Sequence, residues 1–185
     1  MKIEISDLQL LLAAIENKGM PISAAIALIN GSVKSKKVRV KAPIKLTVDY
    51  AKTVNQAVAD GKYNAANNDI SSENFPVPGE LIGKKVKISG KIFHFNRGIS
   101  SEDVIKEMDE AEFRPATLME LLAFGAAYPE LQKQYSIIAL GSFWIDYDRR
   151  RYVPYLGKDS VDRRLDLDQF GNDWRAWYRF FGVRK

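Results

Sequence analysis

The sequence predicts an α+β fold, and three observations carry that expectation. Apolar residues recur at helical spacing in several segments, such as Leu8, Leu11, Leu12 and Ile15, or Leu118, Leu121 and Leu122. Lys84 to Asn96 instead alternates, with Val86, Ile88, Ile92 and Phe93 as its apolar residues. "YSIIALGSFW" is a nearly continuous apolar run, as expected of a strand buried on both faces.

Taken in order, Ser6 and Gln9 frame a capping box, in which the serine oxygen accepts a first-turn amide and the glutamine reaches back. Gly19 and Pro21 end that helix, and a second runs from about Ile22 to Ile29. Together, residues 1–35 form an N-terminal helical hairpin too apolar and short to be stable alone, expected to mediate oligomerisation. A soft boundary near Ser35 separates it from a single α+β domain, residues 36–185. "GSVKSKKVRVKAPIKLTV" alternates basic and β-branched residues and reads as an exposed strand or a stiff linker.

Asp49 to Ala59 is predicted helical, with Tyr50, Val54 and Val58 on one face and Gly61 closing it. The Asn-, Ser- and Pro-rich stretch after it is an ordered loop anchored by Tyr63, Ile70 and Phe75. Ser89-Gly90 marks a turn or bulge, making Lys84 to Asn96 a hairpin or one long bent strand. Ser100 or Ser101 caps a helix through about Ala111 that turns Val104, Ile105 and Met108 inward. Thr117 and Glu120 form a further capping box, and Gly125 with Pro129 stops that helix before a short turn to Lys133. Beyond Phe143 the chain reads as loop-rich, with short strands near Tyr152–Leu156 and Arg164–Leu167 and a last one at Tyr178–Arg184.

Composition removes several chemistries. With 185 residues, 46% hydrophobic and 28% charged, the chain is long enough for one sizeable core. No apolar run approaches a membrane span, and Met-Lys-Ile-Glu-Ile-Ser shows no signal-peptide pattern, so a cytoplasmic location and no membrane partner are expected. Cysteine is absent, which excludes disulfides, thiolate metal sites and thiol nucleophiles. The one histidine, His94, lies in alternating "KIFHFNRG" and reads as a half-exposed strand residue. The net charge of +5 allows a polyanionic partner. Basic residues cluster at Lys34 to Lys45, at Lys84 to Lys91 and at Arg149 to Arg151, whereas Glu102 to Glu112 is acidic.

Eleven aromatic residues, all three tryptophans among them, fall between Phe143 and Phe181. Over Phe113 to Lys185, "RPATLMELL" as a helix start, a strand running into "GSFW" and a terminal "YRFFGVRK" together resemble the C-type-lectin-like fold in its formylglycine-generating-enzyme branch. That branch includes small bacterial domains of unknown role and the variable proteins of retroelements. The resemblance implies framework helices packed on a small twisted, mostly antiparallel sheet, Arg114 and Thr117 as fold residues, and a loop-rich C-terminal half that faces a ligand. It implies no cysteine-oxidising activity, because the cysteines that chemistry needs are missing. The lectin calcium motifs are missing too, and the arginines interleaved with Asp146, Asp148, Asp159, Asp162, Asp166, Asp168 and Asp173 argue for ion pairs over a calcium site.

Two classes of function follow. In the first, a non-catalytic module recognises a protein or glycan ligand through Tyr147, Arg149, Arg150, Arg151, Tyr152, Arg163, Trp174, Arg175, Trp177 and Tyr178. Tyrosine, tryptophan and arginine give rigid contact area at low entropic cost. Phe143, Phe180 and Phe181 are expected as core anchors. In the second, the same arginines and aromatics with the basic clusters bind nucleic acid. An enzyme is the weakest reading. Asp146 with Asp148, or Asp166 with Asp168, share a strand face by period alone, and no phosphate loop, metal-ligand set or nucleophile elbow accompanies them. No catalytic residue, metal ligand or cofactor is expected.

Overall fold

The computed structural model describes residues 43–159 and 162–185. The N-terminal hairpin and the boundary near Ser35 lie outside the described residues. Among the described residues the fold is α+β, a mixed sheet of nine strands with four helices. Its order is β1 (Ile44–Asp49), β3 (Lys85–Phe93), β9 (Arg179–Arg184), β5 (Ile137–Ile138), β7 (Arg151–Asp159), β8 (Asp162–Gln169) and β2 (Ala65–Ala66), with β4 (Phe113–Pro115) also pairing β9 and β6 (Trp144–Ile145) also pairing β7.

β1 (Ile44–Asp49) is the strand that the basic alternating segment offered, and its burial alternates with the sequence. Ile44, Leu46 and Val48 are buried, while Lys45 and Thr47 are exposed. α1 (Val54–Gly61) therefore begins later than predicted. Thr53 caps it, accepting from Gln56 N–H at 3.2 Å, while Gln56 Oε1 accepts from Thr53 N–H at 2.9 Å. The left-handed terminator is Lys62 at φ 49°, and Gly61 is needed for a different reason. A Cβ there would lie 2.2 Å from the Tyr63 ring.

Ile70 and Phe75 anchor the next loop, which includes β2 (Ala65–Ala66) and a 3-10 turn, Gly79–Leu81. β3 (Lys85–Phe93) is one continuous strand, so of the two expected arrangements the long strand forms and the hairpin does not. Gly90 instead admits the Phe181 ring, which a Cβ would meet at 2.4 Å. α2 (Ser101–Glu110) is capped by Ser100, whose hydroxyl accepts from Asp103 N–H at 3.1 Å. β4 (Phe113–Pro115) leads into α3 (Leu118–Ala127), which runs two residues past Gly125. α4 (Pro129–Gln132) follows, then β5 (Ile137–Ile138) and β6 (Trp144–Ile145). β7 (Arg151–Asp159) and β8 (Asp162–Gln169) form a long antiparallel hairpin, so this half is more regular than the loop-rich reading. β9 (Arg179–Arg184) closes the chain between β3 and β5.

The sheet is mostly antiparallel; β5–β9 and β2–β8 are its parallel pairs. It is larger than the small sheet the resemblance implies. Each face carries its own core. On the first, Leu156, Leu165, Ile137 and Phe181 pack with Val54 of α1 and Leu118, Leu121, Leu122 and Phe124 of α3. On the second, Phe93, Ile138, Val153 and Phe180 pack with Val104 and Met108 of α2 and with Phe170 and Trp174. Phe180 and Phe181, 1% and 0% exposed, are the core anchors expected, each contributing about 1.5–3 kcal/mol by area. The start of α3 is locked by Glu120, itself 1% exposed. Its carboxylate accepts from Arg114 Nη1 and Nη2 at 2.9 and 2.6 Å and from Thr117 N–H at 2.8 Å.

Candidate functional site

The sheet's second face carries the candidate site, built by the segment between β8 and β9. Phe170 N–H donates to Arg151 O at 2.8 Å, fixing the start of that segment beside β7. Trp174 N–H donates to Ile99 O at 2.9 Å and Trp174 O accepts from Ile99 N–H at 3.0 Å. The indole is 1% exposed, and its Nε1–H donates at 2.8 Å to Ser101 Oγ, which donates in turn to Phe170 O at 2.5 Å. Trp174 is therefore the post that fixes the segment against α2, and its expected role as an exposed face is corrected. A large ring with one satisfied donor belongs inside.

That post sets the next residues outward. Tyr178 meets Trp174 edge to face at 5.3 Å, and Trp177 stacks on Tyr178 at 6.1 Å and 28°. Trp177 is 56% exposed and has the Arg175 guanidinium over it at 5.1 Å. From below, the His94 Nε2–H donates to Ala176 O at 2.8 Å. Arg179 donates to Trp177 O at 2.8 Å. The histidine's work is to hold this segment.

At the segment's other end, the turn between β6 and β7 is tied by Asp146 to Arg150. Asp146 N–H donates to Arg150 O at 3.0 Å, and Arg150 N–H donates to Asp146 Oδ1 at 2.8 Å. Arg149 takes a left-handed φ of 62° to close it. This lifts Tyr147 into solvent, 93% exposed. Arg151 spreads over Phe170 at 4.1 Å and reaches Phe143 at 5.7 Å. Phe143 is 45% exposed, so its expected role as a core anchor is also corrected. It precedes the short β6, where Trp144 turns in against the first core and Phe143 is left outside. Tyr152 lies beside Trp144 at 5.7 Å, and its hydroxyl accepts from Gln169 Nε2 at 3.3 Å.

Arg163 does not belong to this surface. It sits on β8 facing the first core, donating to Gln132 Oε1 at 3.1 Å, Gly61 O at 2.6 Å and Gly125 O at 2.7 Å, with Tyr63 beneath at 4.9 Å. Its side chain has period-2 neighbours Leu165 and Leu167, which place it inward. Gln132 completes the junction, donating from Nε2 to Gly157 O and Arg164 O, both at 2.7 Å.

Sequence reasoning passed over Tyr155 and undervalued Asp166 and Asp168. Tyr155 pairs with Asp166 across β7 and β8, and Asp168 pairs with Val153 on the same face. Asp166 Oδ1 accepts from Asn67 Nδ2 at 2.8 Å, and Asp168 Oδ1 from Asn172 Nδ2 at 2.7 Å. Burial pushes the Tyr155 and Tyr178 hydroxyls up from their ordinary value, with Asp166 and Asp168 adding to it at Tyr155 and Asp168 at Tyr178. Both phenols therefore remain hydrogen-bond donors at neutral pH beside carboxylate acceptors. The alternation Asp166-Leu167-Asp168 was the signal for a shared face. Of the other aspartates, Asp148 lies 3.7 Å from Arg150 and Asp159 lies 3.5 Å from Arg164, whereas among the described residues Asp146, Asp162 and Asp173 make no ion pair, so the interleaved arginines neutralise fewer of them than expected.

The site thus offers stacking platforms, fixed cations and neutral hydroxyls. Among the described residues, no group of three or more histidines, aspartates or glutamates could hold a metal ion, and no helix is long and apolar enough to cross a membrane. No protein-family profile matches the chain, and neither does any curated protein or solved structure.

Proposed function

We propose that this chain is a non-catalytic binding module, a C-type-lectin-like domain over Phe113 to Lys185, that recognises a protein or glycan ligand through the aromatic and arginine surface of its C-terminal half. The observation that carries the reading is the pairing of exposed rings with oriented guanidinium groups: Arg175 over Trp177, and Arg151 between Phe170 and Phe143. Exposed large aromatics cost solvation unless a partner covers them; Trp177 tops a segment that Trp174, His94 and Ser101 hold from below, while Phe143 stands exposed beside β6 and Tyr147 on the β6–β7 turn. A prearranged platform lowers the ordering cost of binding. The resemblance is supported by the α3 start, where Arg114 and Glu120 serve the fold, and by the packing of α3 on the closing strand, Phe124 against Phe181 at 4.9 Å.

Printed glycan and protein arrays probed with the labelled full chain test the reading. Reproducible signal in one class is expected, falling by about tenfold or more in the Trp177→Ala/Tyr147→Ala variant, as loss of central aromatic anchors does. Equal signal from both proteins, or none from either, would contradict it.

A further inference from the structure

A second surface on the same sheet face lies apart from the aromatic one, over β1 and β3. Their register sets Lys45 opposite Ser89, Thr47 opposite Lys87 and Asp49 opposite Lys85. All six alternate with Ile44, Leu46, Val48, Val86 and Ile88, which face the first core, so all six point the other way. Lys91 continues the row, its ammonium over Phe93 at 4.6 Å, and Arg184 of β9 lies over Phe113 at 5.9 Å. Lys45, Lys85, Lys87 and Lys91 are exposed. Lysines directly across two strands would repel. Here Lys45 and Lys87 each face a hydroxyl, Lys85 a carboxylate and Lys91 a glycine, so the positive charge is gathered on one face without direct opposition.

Counter-charge is sparse. Asp49 pairs with Lys85 at 3.3 Å, but among the described residues Lys45, Lys87 and Lys91 have no carboxylate within ion-pair distance. Lys45, Thr47, Lys87 and Ser89 line a shallow depression of about 450 Å³. On one side the strip is bounded by α2, whose Met108 packs near Gly182 and whose Glu102, Asp103, Glu107 and Glu110 are negative.

We propose that this face binds the phosphate backbone of single-stranded nucleic acid. Cations and hydroxyls repeat every two residues, about 7 Å along a strand, and each can donate to a phosphodiester oxygen. The strip is narrow and carries no exposed apolar side chain to enter a lipid layer. Among the described residues the strip is made of β1 and β3 alone, with no helix on it to enter a duplex groove. Contacts confined to phosphates make binding tolerant of base sequence. With three or four phosphates engaged, the slope of log affinity against log salt is about −2 to −3.

Fluorescence anisotropy of a labelled oligothymidylate of about twelve nucleotides, titrated with the full chain across a salt series, tests this. Lys45→Gln/Lys87→Gln/Lys91→Gln weakens binding by about tenfold or more and flattens the slope, while the matching arginine triple retains it. Lys62→Gln/Lys133→Gln/Lys158→Gln removes the same charge elsewhere and stays within about twofold of wild type. Equal losses in the two glutamine triples would reduce the effect to net charge and overturn the proposal. So would failure of the arginine triple to bind, no oligonucleotide binding at about 50 mM salt, or binding of phosphatidylserine vesicles or polyglutamate alone.

Discussion

Arg163 with Tyr63 and Arg175 with Trp177 are the same chemical pair in two settings. The guanidinium lies over the ring at 4.9 Å in one and 5.1 Å in the other. Arg163 is 9% exposed and spends its donors on Gln132, Gly61 and Gly125, closing the junction of α1, α3, α4 and β8. Arg175 and Trp177 are exposed, and no partner of the described residues takes the guanidinium's donors. Residue type therefore does not separate a structural pair from a recognition pair. What separates them is whether the donors are already used.

Breaking the buried pair should have the largest effect. Arg163→Met strands two carbonyls and Gln132 Oε1 in the interior, and a loss of about 3–4 kcal/mol is expected in denaturant unfolding. Glu120→Ala comes next, at about 2–3 kcal/mol, because it removes the Arg114 fork and the bond from Thr117 N–H together. Both losses should appear as lowered denaturant midpoints with an unchanged slope.

Tyr63 sharpens the comparison through pH. Burial pushes its hydroxyl from 10.0 up to about 12, against the opposing pull of Arg163, and the hydroxyl has no hydrogen-bond partner. The folded value lies above the unfolded one. Its contribution is therefore complete below pH ~10 and is lost as pH rises toward ~12, amounting to about 2–3 kcal/mol. Tyr63→Phe should flatten that alkaline limb and change stability at neutral pH by less than about 1 kcal/mol. Denaturant midpoints recorded from neutral to alkaline pH check both. The smallest effect belongs to the exposed pair, where Trp177→Ala should move stability by no more than about 0.5 kcal/mol.

Local rules carried much of the fold from the residues alone. The caps at Ser100 and Glu120, the inward Val104 and Met108, the anchors Ile70 and Phe75, and the closing strand all follow from spacing and hydrogen-bonding capacity. What local rules missed was tertiary. Gly61 does end α1 and Gly90 does lie within one long strand, but each is needed for a close approach that spacing does not show, Tyr63 at Gly61 and Phe181 at Gly90. α3 runs past Gly125, whose carbonyl accepts from Arg163, a partner far away in the sequence. The long β7–β8 hairpin reads as short strands in the sequence because Gly157 follows the apolar run of β7 and Arg163 puts a charge at an inward position of β8. For the site, Tyr147, Arg151, Arg175, Trp177 and Tyr178 were legible as residue types, whereas the inward turn of Trp174 and Arg163 was not. A tryptophan in an irregular segment reads alike whether it is a post or a platform, until Ser101 is found to accept its N–H.

The most direct test of the central claim is a titration of Trp177→Ala, beside wild type, against the strongest array ligand, with the unfolding midpoint measured on the same samples. The account predicts affinity lower by about tenfold or more with the midpoint unchanged. Affinity unchanged, or affinity and midpoint falling together, would contradict it, since Trp177 would then be either idle or part of the frame.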